Sequence, residues 1–147
     1  MTDIRNNLWS ALARAQAHIG ALGKDGAGAR GDYTTCESAI DATRRALAEE
    51  GLALFVESSR LEELAPVDEV DQTTGAIRST GELVINRDVR LVHVESGAST
   101  VLHQVWPVVV GRGRPLDHAT ASADSFGLTY LLRGLMMFSR GEGFEGE

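Results

Sequence analysis

The chain has 147 residues, with 14 Lys+Arg against 21 Asp+Glu and a formal net charge of −7. A length of this order builds one domain that buries roughly 68–70% of its unfolded surface, and a hydrophobic share of 43% excludes a disordered chain. No run approaches the roughly 18 consecutive apolar residues of a membrane span, no basic-then-apolar leader opens the chain, and the single cysteine, Cys36, excludes an internal disulfide and a multi-cysteine zinc site.

The expected location is therefore the cytoplasm. The charge is uneven: residues 57–71 carry six acids against one base, the tail 141–147 carries three acids, and residues 1–30 and 96–140 are mildly basic. All basic residues but Lys24 are arginines.

In chain order, Ile4, Leu8, Leu12, Ala15, Ile19 and Leu22 recur at three- and four-residue steps and predict an amphipathic helix over 3–22. The glycine-rich segment 20–31, which carries Lys24 and Arg30, ends it and reads as a loop. A second helix is expected over 35–50, with Thr34 and Glu37 at capping-box spacing and Gly51 as a left-handed cap. Residues 52–58, LALFVES, read as a strand, and the acidic stretch 60–75 with Pro66 and Gly75 as a loop. Residues 81–95 and 99–110 flank Ser96-Gly97-Ala98 and predict a long antiparallel hairpin, with Pro107 confining its strand to an edge or a bulge. From Leu116 to Phe138 the spacing is helical and apolar nearly all round, which predicts burial within the monomer or between subunits. The order α-α-β-β-β-α makes an α+β fold: an antiparallel three-stranded sheet, a long hairpin plus one strand, packed with helices. The expected organisation is one domain over 1–140 and a flexible acidic tail over 141–147.

The residues do not assemble a catalytic constellation. There is no Walker loop, nucleophile elbow or dinucleotide fingerprint. His93 and His103 flank the hairpin turn without a third ligand at fixed spacing, so no metal and no cofactor is expected. Cys36 sits near a helix start, a place that lowers a thiol pKa, but no histidine partner follows from spacing. A binding protein is the better reading. Arg87 and Arg90 stand at odd spacing on a strand and point to opposite faces. Arg112 and Arg114 flank Gly113 in a tight loop, Tyr33 ends the glycine-rich segment, and Arg133 is the only charge between Phe126 and Phe138. Guanidinium forks pair with phosphates and aromatic rings stack on bases, a combination suited to single-stranded nucleic acid.

Two stretches go beyond general pattern, GDYTTCESAIDATRRALAEEGLALFV over 31–56 and ATASADSFGLTYLLRGLMMFSRGEG over 119–143. Together they resemble the ERF family of phage and prophage single-strand annealing proteins. Gly31, Tyr33, Leu47, Gly51 and Leu52 match its first motif, and Ser125 to Leu132 match its second. The chain departs from the pattern at Phe126, Gly127 and Thr129, where the family has Tyr, Ala and a basic residue; Arg133 lies one turn beyond Thr129. The resemblance implies a β-β-β-α core preceded by two helices, and a homo-oligomeric ring or filament. It also implies ATP-independent annealing of single-stranded DNA in recombination, in the cytoplasm or nucleoid of a bacterial host and beside a host single-strand-binding protein. The DNA contacts then expected are Lys24, Arg30, Tyr33, Arg87, Arg90, Arg112, Arg114 and Arg133. The rival expectation is an oligomeric protein-interaction module of the same fold that does not bind DNA.

Overall fold

A computed structural model describes residues 4–20, 22, 26–28, 31–64, 67–80, 82–111 and 113–139. Helix α1 spans Ile4–Ile19 and is followed by two short strands, β1 (Gly26–Gly28) and β2 (Gly31–Tyr33). Then come helix α2 (Cys36–Glu49), strands β3 (Leu52–Glu63), β4 (Val67–Val70), β5 (Ile77–Thr80), β6 (Leu83–His93) and β7 (Ser99–Val108), and helix α3 (Leu116–Met136). The main sheet is antiparallel in the order β3-β6-β7, so the fold is α+β with two helices ahead of a β-β-β-α core. Among the described residues no helix is long and apolar enough to cross a membrane.

Three readings of the sequence need correction. The glycine-rich loop folds back on itself as the hairpin β1-β2. The acidic stretch is not a loop: β3 runs on to Glu63, and β4 pairs with β5. The cap of α2 sits one residue later than expected, where Thr35 accepts the Ser38 N–H at 3.3 Å. At the far end, Gly51 has φ of 68°, which only glycine adopts freely, and it turns the chain from α2 into β3 as expected.

Alternation on β6 sorts the sheet into two faces. Ile85, Val89 and Leu91 are buried on the side of the helices. There Leu8, Leu12, Leu47, Leu52, Leu91, Leu132, Met136 and Phe138 share one core, and Ile85, Val108, Ala119 and Ala123 share a second. The other face carries paired polar groups that cross the strands. Arg90 holds Glu57 with two bonds of 2.9 and 3.1 Å and donates to the Ser99 hydroxyl at 2.9 Å. Asp88 accepts from Ser58 and stands 2.6 Å from His103 Nδ1, while Glu62 accepts from Asn86 and Arg60.

Helices α1 and α2 are clasped at Glu50. Its carboxylate accepts from Arg14 Nε at 2.7 Å and lies 3.0 Å from His18 Nε2. Those two bonds, Arg14 first, hold its pKa below the ordinary value. A depressed carboxylate adds stability above its unfolded pKa and loses it as pH falls through the folded value. Stability should therefore fall on acidification below about pH 4.3, the ordinary value for Glu. In Glu50→Gln that acid-side slope should be shallower, as read by urea midpoints from pH 3 to 7.

Candidate nucleic-acid interface

Helix α3 brings the candidate site together. Ser122, Phe126, Tyr130 and Arg133 follow each other at four-, four- and three-residue steps and share one side of the helix. Phe126 and Tyr130 are 45% and 47% exposed although the apolar pattern predicted burial. The Tyr130 ring stacks on Trp106 of β7, with centroids 5.3 Å apart and 23° between planes. Trp106 also explains Gly127: a methyl there would meet the indole Cγ at 2.9 Å, so the close approach of α3 to the sheet requires glycine. Gln104 fixes the same contact by donating to Gly127 O at 2.8 Å.

The N-terminal end of α2 meets this side of α3. A pocket of about 260 Å³ separates them, walled by Thr34, Thr35 and Cys36 on one side and by Ser125, Phe126 and Thr129 on the other. The two stretches that carry the family resemblance are thus packed against each other, although more than 80 positions separate Thr35 from Phe126 in the chain. The pocket offers hydroxyls and first-turn amides at a helix N-terminus, groups that suit an anion, but its wall also carries the Glu37 carboxylate, which opposes one. Cys36 is not an activated thiol: burial pushes its pKa up, against the opposing bond to Thr129.

The structure distributes the expected DNA contacts very differently. Arg87 is a correction. It is 1% exposed, sealed between β6 and α3, and bound to the Asp124 carboxylate, the Asp124 carbonyl at 3.1 Å and Gln104 Oε1 at 3.1 Å. A guanidinium so enclosed cannot reach a phosphate. Arg90 points to the opposite face, as its spacing required, and is held by Glu57 and Ser99, with its pKa raised by the Glu57 bond. Arg114 is exposed in the turn closed by its N–H to Gly111 O at 3.0 Å, just ahead of α3. Arg133 is half-buried in the last turn of α3. The pair sits at opposite ends of the helix, about 28 Å apart at ~1.5 Å per residue. Lys24, Arg30 and Arg112 lie outside the described residues, as does the tail 141–147, and of Tyr33 only the backbone in β2 is described.

Thr129 and Arg133 are one turn apart and share a helix side. The aromatic pair Phe126 and Tyr130 was missed as a surface. Its signal was present as Ser122, Ser125 and Thr129 interleaved with the rings, a pattern that a wholly buried helix does not show. His93 and His103 stay apart on opposite faces, His93 bonded to Ser96 at 2.7 Å and His103 to Asp88. No family model, curated protein or solved structure matches the chain.

Proposed function

We propose that the chain is a single-stranded DNA-binding and annealing protein that works as an oligomer without ATP. One observation carries the reading: the two stretches that resemble the annealing family meet at a single pocket beside exposed aromatic rings. A strand laid along α3 would meet Arg114 at one end, the hydroxyls and rings of Ser125, Phe126 and Tyr130 in the middle, and Arg133 at the other end. Stacking on Phe126 and Tyr130 tolerates any base. Contacts to phosphate position a strand without reading it, which leaves base edges free to pair. Pairing then supplies the driving force, and repeated weak sites in an oligomer raise the avidity. Proteins of this kind act in recombination.

The test is annealing itself. The purified protein should speed the pairing of two complementary oligonucleotides without ATP, and the effect should weaken as salt rises. An annealing rate equal to that of the oligonucleotides alone would refute the proposal. A second reading, an interaction module that does not bind DNA, is favoured by the pairing of Arg87 and Arg90 with acids of the same chain, which seals the first cation inside and neutralises the second at the surface. It predicts assembly with no shift of single-stranded DNA.

A further inference from the structure

A groove of about 450 Å³ opens between α2, β3 and α3 on the helix side of the sheet. Ile40 and Val56 line it and are 39% and 47% exposed. Arg44 is the one charged side chain among its described lining residues. Its floor includes Thr43, which is buried and whose hydroxyl has no hydrogen-bond partner. The flanking half of β3, LALFV over 52–56, is an edge without a charge. Natural sheets guard such edges with charges, prolines or a cover.

The same chain carries a segment of complementary chemistry. Leu64 N–H donates to Glu82 O at 2.8 Å, so the β3-β6 ladder leads into the β4-β5 hairpin, which belongs to no larger sheet. Near its tip Val70 and Ile77 face each other across the ladder and are 55% and 71% exposed. The turn beyond them is held by Asp71, which accepts from the N–H groups of Thr73 and Thr74 and thereby keeps its pKa low. Segment 67–80 has three acids against one base.

We infer that the β4-β5 arm of one copy docks into the α2-β3 groove of a second copy. The apolar pair Val70–Ile77 would fill the groove, and Asp68 or Asp71 would meet Arg44. Among the described residues Arg44 pairs with Asp41 on its own helix, in an exposed pair that exchanges at little cost. The arm cannot serve its own groove: Leu64 lies eight steps along the chain from Val56, roughly 26 Å of strand at ~3.3 Å per residue, before the arm even begins. Arm and groove are different surfaces, so the contact is head-to-tail and builds a ring or a filament. The inference rests on the oligomeric part of the function proposed above and supplies its interface.

The test uses two full-length variants whose changes are at exposed positions, Val70→Asp plus Ile77→Asp in the arm and Ile40→Glu in the groove. Each alone should run at the mass of a single chain with the wild-type circular dichroism. Mixed one to one, they should form a dimer and nothing larger, because only one arm and one groove remain intact. Folded variants that keep the wild-type assembly, or mixtures that stay at one chain mass, would overturn the inference. A wild-type monomer that binds single-stranded DNA would overturn it and leave DNA binding standing. An assembly that these variants dissolve but that never binds DNA would uphold it and remove the annealing function.

Discussion

Replacing Phe126 and Tyr130 by alanine should lower affinity for single-stranded DNA by about 30-fold or more. Stacking of a base on an aromatic side chain is worth ~1–3 kcal/mol per base, and each decade of affinity is about 1.4 kcal/mol. The loss should leave the salt dependence unchanged, because stacking releases no counterions. Arg114→Ala with Arg133→Ala should do the reverse and make the slope of log affinity against log salt shallower by about 1.4, at ~0.7 per phosphate contact on a single strand. Tyr130→Phe keeps the ring on Trp106 and should bind as the parent does. Fluorescence anisotropy of a labelled oligonucleotide at four salt concentrations reads both quantities. If the double alanine variant binds normally while folded, α3 is not the DNA surface.

The second large effect concerns stability. Arg87 is enclosed by the sheet and α3, and its charge is met by Asp124, whose own side chain is 57% exposed. Asp124→Ala would leave a buried guanidinium with only the Gln104 oxygen and a backbone carbonyl. Removing one partner of a buried pair costs about 3–5 kcal/mol; the exposure of Asp124 places this case near the lower end. A loss of about 3 kcal/mol corresponds to roughly 6–12 °C in Tm for a chain of this size. Arg87→Met retains bulk, removes the charge with its need for a partner, and should cost about 1 kcal/mol, the scale of one lost hydrogen bond. It should also leave DNA affinity and its salt slope untouched. If Arg87→Met is stable but has lost affinity and slope, Arg87 belongs among the phosphate contacts after all.

Both expectations depend on features that the sequence carried unevenly. The β6-β7 hairpin was legible because LVINRDVRLVH alternates and Ser96-Gly97 marks its turn. The opposite orientation of Arg87 and Arg90 was legible from the same period of two. That Arg87 is the inner one was also present, since Ile85, Arg87, Val89 and Leu91 form one apolar series. Its partner Asp124 was not, because 37 residues separate them and only tertiary packing joins β6 to α3. The β4-β5 arm escaped notice because its acids and Pro66 mimic a loop, while its strand pairing is local and needs no apolar stripe. The pocket between α2 and α3 was legible only indirectly, through two resembling stretches whose packing no spacing rule predicts.

Acidic composition and DNA binding are compatible here because the charges are segregated. The acids concentrate in residues 31–71 and the tail. On the open face of the sheet Glu57, Glu62 and Asp88 are held by neighbouring side chains. Any strand on α3 therefore faces a site with few cations, and affinity must come from stacking and repetition rather than from a dense positive groove.

The mass of the wild-type protein in solution, measured alone and with an equimolar oligonucleotide, tests the central claim most directly. An assembly of many 15.8 kDa chains that gains the mass of bound single strands is the predicted result. A particle of one chain whose mass does not change when the oligonucleotide is added would contradict it.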